Sequence, residues 1–265
     1  MNISYINDLH IDFWVKWNPN QQKYKTRIQE FIELLIAKSD LNYKEVLIIA
    51  GDISHFNFVT KLVLEVFSKE FEKVFVVSGN HDYYLLSKNQ KSKYEGSSMN
   101  RIKELKDMID TLSNVTYFHS KYGSRYEVYK GITFAGITMT SLPETDKEKH
   151  FYRNVMNDSK YITESPDSLN RSDLIVYEVI LGNIKPDVFI SHYPLIMTNS
   201  QKRYLNDGSI GSYLCKVDEH IAPINFFGHV HENNTKYEVG ESIHITNALG
   251  YPNEDLRTKI KQIEI

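Results

Sequence analysis

Five short stretches of the chain carry residues able to hold a metal ion or move a proton, and all five share one setting. Asp8-Leu9-His10 follows Ile3-Ser4-Tyr5-Ile6, and Gly51-Asp52 follows Val46-Leu47-Ile48-Ile49-Ala50. Gly79-Asn80-His81-Asp82 follows Val74-Phe75-Val76-Val77, His192 follows Val188-Phe189-Ile190, and Gly228-His229-Val230-His231 follows Ile224-Asn225-Phe226-Phe227. Imidazoles, carboxylates and an Asn carbonyl, with no thiolate, suit borderline or hard divalent ions such as Mn²⁺, Fe²⁺ or Zn²⁺. The set is too large for one ion. Two ions about 3.5–4 Å apart, bridged by a carboxylate, would use all of it and clamp a phosphoryl group. His81 can bind or polarise a ligand, and Asp82 is expected to orient its imidazole. Singly, each residue is better explained as a strand-end cap or a satisfied polar group. The ordered series of five carries the reading.

The apolar, β-branched runs before these residues read as buried strands, whose C-terminal ends are where open α/β sheets place ligands. If the five strands are neighbours in one sheet, their polar ends converge on one patch. Ile28, Phe31, Ile32, Leu35 and Ile36 fall at helical spacing and predict a helix over 24–39. Further helices are predicted over 58–71, 101–112 and 173–183, so strand and helix alternate in the order of parallel pairs with right-handed crossovers. Residues 115–118, 125–129 and 132–138 predict strands of a second sheet or its edge, and 235–239, 242–247 and 258–264 are expected to complete that sheet. The irregular stretch 141–172, with Pro143 and Pro166, reads as a long insertion over the site with a short helix around 152–157. A short helix is expected within 212–221, and Asn206-Asp207-Gly208 is a turn signal. Trp14 and Trp17 either wall the site or cover core.

At 265 residues, with 41% hydrophobic and 25% charged residues, the chain has enough apolar content for one large domain over 1–265. A net charge of −3 gives no global basic footprint, so a nucleic-acid partner is not favoured and a membrane surface is not expected. The local cluster Lys88, Lys91, Lys93, Arg101 and Lys103 is the one candidate for tracking a phosphate backbone, and such runs are more often a solvated face. Cys215 is the only cysteine, which suits a reducing compartment. The first strand needs Asp8 almost at once and leaves no room for a leader, so a cytoplasmic location is expected. Oligomeric state is not readable.

Asp8-x-His10, Gly51-Asp52, Gly79-Asn80-His81-Asp82, His192 and Gly228-His229-x-His231 resemble the ordered motifs of the calcineurin-like metallophosphoesterases. The resemblance implies an α/β fold of four layers, an α-β-β-α sandwich of two mixed sheets flanked by helices. It implies that Asp8, His10 and His231 hold one divalent metal, that Asn80, His192 and His229 hold a second, and that Asp52 bridges both, with Mn or Fe favoured over Zn or Ni. It further implies hydrolysis of a small phosphomonoester or phosphodiester by a hydroxide bridging the metals. His81 would then act as general acid or charge stabiliser, supported by Asp82. His55 stands where many members carry Asp and is expected to support a ligand or touch substrate. Asn247-Ala248-Leu249-Gly250-Tyr251-Pro252 is similar to an Asn-Pro-Arg-Gly-Tyr-Pro segment of a bacterial and phage subgroup, and Met156-Asn157-Asp158 is similar to another of its segments. That likeness implies that Asn247 and Tyr251 approach the site, with Leu249 in place of the Arg. The rival readings are a non-catalytic scaffold, which would normally lack one of the ligands kept here, and a nuclease.

Overall fold

The computed structural model describes residues 1–204, 207–217, 222–254 and 258–265. Strand β1 (Asn2–Ile6) leads through a single helical turn, α1 (Ile11–Trp14), into α2 (Gln21–Ala37). Asn20 caps α2 by accepting the Lys23 N–H at 3.0 Å, and Tyr24, Ile28, Ile32, Leu35 and Ile36 form its buried stripe. The chain continues through β2 (Val46–Ile49), α3 (Asn57–Glu70) and β3 (Lys73–Val77) to a 3₁₀ turn at Asn80–Tyr83. Next come α4 (Lys88–Lys93), α5 (Ser98–Ile109), β4 (Val115–Phe118), β5 (Tyr126–Tyr129) and β6 (Ile132–Gly136). Then follow α6 (Asp146–Asn154), α7 (Asp158–Tyr161), α8 (Pro166–Asn183), β7 (Val188–Ile190), β8 (Ile224–Phe226), β9 (Thr235–Val239), β10 (Ser242–Thr246) and β11 (Lys261–Glu264).

Two mixed sheets result, in the orders β11-β1-β2-β3-β4 and β5-β6-β7-β8-β10-β9. Alternation along the strands divides their side chains between two cores. Val46, Ile48, Phe75 and Val77 of the first sheet meet Phe134, Val188, Ile190 and Phe226 of the second, with Phe75 stacked on Phe134 at 4.3 Å. Leu47, Ile49, Val74 and Val76 face the other way, onto α2, α3 and α5. Val176, Tyr177 and Ile180 of α8 cover the outer face of the second sheet at Ala135 and Phe189. The outcome is the four-layer sandwich of two sheets between helices.

The five motif-bearing strands are not neighbours in one sheet: β1, β2 and β3 lie in the first, β7 and β8 in the second. Their polar ends still converge, because the two sheets are stitched together at that end. Residues 115–118 form the edge of the first sheet, parallel to β3, as the α5 crossover requires. The last strand also departs from expectation. β11 is antiparallel to β1, with Asn2 opposite Glu264, and forms an edge of the first sheet rather than of the second. A single parallel bridge between Asn7 and Ala248 carries the chain from one sheet to the other.

Within 141–172 the helix expected around 152–157 is interrupted there: α6 ends at Asn154 and α7 begins at Asp158. Capping boxes decide the start of α6, where the Thr145 hydroxyl accepts the Glu148 N–H at 3.2 Å while the Glu148 carboxylate accepts the Thr145 N–H at 2.9 Å. The helix expected within 212–221 is reduced to a 3₁₀ turn at Ile210–Ser212, with 213–217 non-helical and 218–221 outside the described residues. Asp207 and Gly208 form a turn, and Asn206 lies outside the described residues. No described helix is long and apolar enough to cross a membrane.

Candidate metal centre

The backbone turns sharply at five of the motif residues. Asp8, His10, Asp52, His229 and His231 have φ of 50°, 43°, 55°, 71° and 48°, in the left-handed region where Asp and His are tolerated better than most residues. Loops lock these turns to one another. The Asp8 N–H donates to the Gly51 carbonyl at 3.1 Å and the His10 N–H to the Asp52 carbonyl at 3.0 Å. Across the sheets, the His229 N–H donates to the Asp8 carboxylate at 2.9 Å, and His192 Nδ1 donates to the Ala50 carbonyl at 2.9 Å. Gly51 and Gly79 allow this closeness: a Cβ on Gly51 would lie 2.5 Å from His192 Nδ1, and one on Gly79 2.0 Å from Asp52 Oδ1.

Two groups of donor atoms form as a consequence. In the first, His10 Nε2 and His231 Nε2 lie 3.0 Å apart, at 3.9 and 3.5 Å from Asp8 Oδ1. In the second, Asn80 Oδ1 is 2.9 Å from His192 Nε2 and 3.2 Å from His229 Nδ1, and His192 Nε2 is 3.5 Å from Asp52 Oδ2. Asp52 Oδ2 is also 3.9 Å from His10 Nε2, so it lies between the groups. Neighbours decide which ring nitrogen is left to coordinate. His192 spends Nδ1–H on a carbonyl, His229 spends Nε2–H on the Ser212 carbonyl at 3.1 Å, and His231 Nδ1 faces the Glu254 carboxylate at 2.8 Å. Asn80 Nδ2 donates to Asp158 Oδ1 at 2.8 Å, which turns its carbonyl toward the two imidazoles.

These contacts fit metal ions. With Nδ1–H committed, a neutral His192 points an Nε2 lone pair at the Asn80 carbonyl oxygen, an acceptor facing an acceptor that a cation between them would reconcile. The ionisation states agree. Burial pushes His10, His192 and His229 down, His229 to about 3, which leaves them as neutral ligands. Burial, with the charges of Asp8 and Asp82, pushes the Asp52 carboxyl up, whereas the hydrogen bond and charge of His231 outweigh burial at Asp8 and hold it down. On His231 burial is outweighed by Asp8 and Glu254, which hold its pKa up to about 10. A proton there answers the Asp8 carboxylate, which a metal would also face.

His81 stands at the edge of these groups, in the turn after β3. Its N–H donates to Asp52 Oδ1 at 2.8 Å. Its Nδ1 lies 2.7 Å from His55 Nε2, and His55 Nδ1 lies 2.6 Å from Asp12 Oδ2. Since a carboxylate only accepts, the chain of donors runs from His81 Nδ1–H to His55 Nε2 and from His55 Nδ1–H to Asp12. That leaves His81 Nε2 directed at the site, 3.9 Å from Asp52 Oδ2 and 3.4 Å from the Tyr251 hydroxyl. The expectation that Asp82 orients His81 is overturned. Asp82 Oδ2 accepts the Gly79 N–H at 2.8 Å and closes the 3₁₀ turn. Burial pushes its pKa up to about 6. His55 takes the supporting role.

Arg101 is fully buried and holds the loops beneath His81. It donates from Nη1 to the His81 carbonyl at 3.0 Å, from Nη2 to the Ser54 carbonyl at 3.2 Å and from Nε to Asn57 Oδ1 at 3.1 Å. Lys93 is paired with Glu104 at 2.6 Å. The basic cluster read from the sequence therefore loses Arg101 to structural work, while Lys93 stays at the surface with its charge paired. Tyr251 reaches the site, stacked on His10 at 4.4 Å. Asn247 does not: it is buried, and its Nδ2 donates to the carbonyls of Tyr5 at 3.2 Å and Lys259 at 2.9 Å. Trp14 packs on Phe31 and donates to the Gly250 carbonyl at 2.9 Å, whereas Trp17 is solvent-exposed.

Four residues at the site escaped sequence reasoning as participants: Asp12, Tyr84, Asp158 and Glu254. Asp158 is buried and receives Asn80 Nδ2, the Tyr84 hydroxyl and, at 3.2 Å, the Tyr193 hydroxyl. Its signal was the Met156-Asn157-Asp158 segment. Asp12 was signalled only by its place two residues beyond His10. The donor groups open into a cavity of about 650 Å³, walled on one side by Val155–Asp158.

Parallel strands of two facing sheets that bring Asp, Asn and His to one end in this arrangement define a metal-dependent hydrolase of phosphoric esters. A family model described as calcineurin-like phosphoesterase matches residues 1–233, and the chain belongs to that family. An uncharacterised protein of Acanthamoeba polyphaga mimivirus, L509, is 25% identical over 277 residues, spanning 95% of this chain and 92% of that protein. The phosphopantetheinyl hydrolase PptH of Mycobacterium tuberculosis shares the fold, with a TM-score of 0.66 at 17% identity over 98% of this chain and 95% of its own.

Proposed function

We propose that this chain hydrolyses a small phosphoester at two divalent metal ions, Mn²⁺ or Fe²⁺ by preference, with His81 serving the leaving group. Asp8, His10 and His231 would hold one ion, Asn80, His192 and His229 the other, and Asp52 both. The observation that carries this reading is the pair of ligand-atom groups on either side of Asp52. Bound there, the ions would supply an activated water and neutralise the phosphoryl oxygens. His81 Nε2 faces the same space and donates a proton or a charged hydrogen bond to the departing oxygen. Burial and the neighbouring imidazoles of His10 and His55 push His81 well down, so its protonated form needs help. An anionic phosphoryl group at Nε2 and the Asp12 carboxylate behind His55 are the two sources.

The substrate is a small molecule, and a nucleic-acid partner is disfavoured by the net charge of −3 and by the burial of Arg101, which is committed to the His81 carbonyl. The fold relative named for a phosphopantetheinyl hydrolase is in keeping with a small phosphoester. The test is hydrolysis of p-nitrophenyl phosphate beside bis-p-nitrophenyl phosphate, by metal-stripped protein given Mn²⁺, Fe²⁺, Ni²⁺, Mg²⁺ or Zn²⁺ in turn, with bound metal counted. Metal-dependent turnover is expected, and His81→Ala, both ions retained, should lower it, on the order of 10²–10⁴-fold for an ester such as phenyl phosphate whose leaving oxygen needs a proton. Two bound ions without turnover of either ester would point to the scaffold reading, and undiminished kcat in His81→Ala would remove that residue from the mechanism.

A further inference from the structure

Beside the metal cleft lies a second space of about 710 Å³, walled by Phe13, Tyr84, Leu86, Tyr161, Tyr251 and Pro252. It adjoins the cleft, and His81, Tyr84, Asn157 and Tyr251 belong to both walls. His81 stands at the junction, with His55 behind it on the chamber side. The rings form a connected set: Tyr84 stacks on His81 at 4.5 Å and meets Tyr161 at 5.4 Å, while Phe13 stands edge-on to Tyr251 at 4.9 Å. Phe13 and Leu86 are 48% and 37% exposed, so neither is held there by core packing. Phe13 lies in α1, three residues beyond His10, and Leu86 in the loop five residues beyond His81.

In-line displacement at phosphorus puts the leaving oxygen opposite the attacking one, and a residue that serves the leaving oxygen must lie on its side. Resting on the phosphoesterase reading above, we infer that this chamber receives the leaving group, and that the natural substrate is a phosphoester of an alcohol bearing a planar, apolar ring. As the oxygen of water forms its bond to phosphorus, the bond to the leaving oxygen breaks. One proton of that water ends on the released alcohol, which remains between the aromatic walls. A flat ring meets Phe13, Tyr161 and Tyr251 edge to face or offset, the arrangements aromatic pairs favour.

Binding and turnover separate this inference from the reading beneath it. The full chain loaded with Mn²⁺ is titrated by calorimetry with methylphosphonate, benzylphosphonate and (1-naphthylmethyl)phosphonate, which share a metal-binding head and differ in the attached ring. Benzylphosphonate is expected to bind on the order of 10–100-fold more tightly than methylphosphonate, with a further gain for the naphthyl ligand. Phe13→Ala and Leu86→Ala, at partly exposed positions, should each shrink that ratio severalfold. Equal affinities across the three phosphonates, in protein that hydrolyses p-nitrophenyl esters, would overturn the chamber assignment and leave the hydrolase standing. Absence of turnover with both ions bound would overturn the hydrolase reading and the leaving-group assignment with it.

Discussion

His55→Ala tests whether His81 owes its competence to the residues behind it. The substitution removes the Nε2 acceptor 2.7 Å from His81 Nδ1 and disconnects Asp12 from the site. A hydrogen bond to a group that becomes charged is worth about 1.5–3 kcal/mol. At about 1.36 kcal/mol per tenfold in rate, its loss should lower kcat about 10- to 160-fold. The loss should depend on the ester. Phenyl phosphate, whose leaving oxygen needs a proton, should show the full effect, and p-nitrophenyl phosphate only a few-fold. Bound metal should stay unchanged, because His55 belongs to neither donor group. Asp12→Asn keeps an acceptor for His55 Nδ1 but removes the charge, so its loss should be smaller than that of His55→Ala. A loss below twofold, or an equal loss on both esters, would refute the relay and leave His81 oriented by its own turn.

Other outcomes follow from the same geometry. Asp52→Asn should weaken both ions, since Asp52 Oδ2 lies 3.9 Å from His10 Nε2 and 3.5 Å from His192 Nε2; full occupancy by elemental analysis would show that it is no bridge. Gly79→Ala should lose metal, because the new Cβ would lie 2.0 Å from Asp52 Oδ1 and 2.6 Å from the Asp52 backbone nitrogen, and two retained ions would contradict this. His119 is buried against Tyr83 at 2.9 Å, far from exchange with water, and burial pushes its pKa down to about 3. The unfolded chain therefore binds the extra proton, and stability present above the unfolded pKa is lost as pH falls. Between pH 7 and 5 that linkage amounts to about 2 kcal/mol for an unfolded pKa of about 6.5. Urea unfolding of His119→Gln should show a drop smaller by about that amount, and an identical drop would place the proton elsewhere.

The ligand set was legible because Asp, Asn and His are conspicuous after apolar strands, and the order of strands and helices brings those ends together. The partners of the ligands were not. Asp82 looked like the support for His81 because it is adjacent in sequence, but neighbours in a 3₁₀ turn point apart, and Asp82 turns back to its own cap. His55 and Asp12 are 26 and 69 residues away and meet His81 only through the packing of three loops. Alternation in 258–264 marked a strand without saying which sheet edge was free, and the edge of β1 took it. Asn247 carries a residue type that suits a site, yet its position under the crossover commits it to backbone carbonyls. A buried Arg is uncommon unless paired, so nothing in the spacing of 88–103 separated Arg101 from its solvated neighbours.

The left-handed turns at Asp8, His10, Asp52, His229 and His231 also bear on how such a centre can change over generations. Asp, Asn and His are among the few non-glycine residues that accept this conformation readily, and they are also the natural donors for hard and borderline cations. Backbone and metal thus screen substitutions by the same criterion. Exchange among these residue types and glycine keeps the turn while retuning or deleting a ligand; a β-branched or bulky replacement damages both at once. Drift at these positions therefore runs along a narrow path, on which a member of the family can lose an ion and still keep its loops in place.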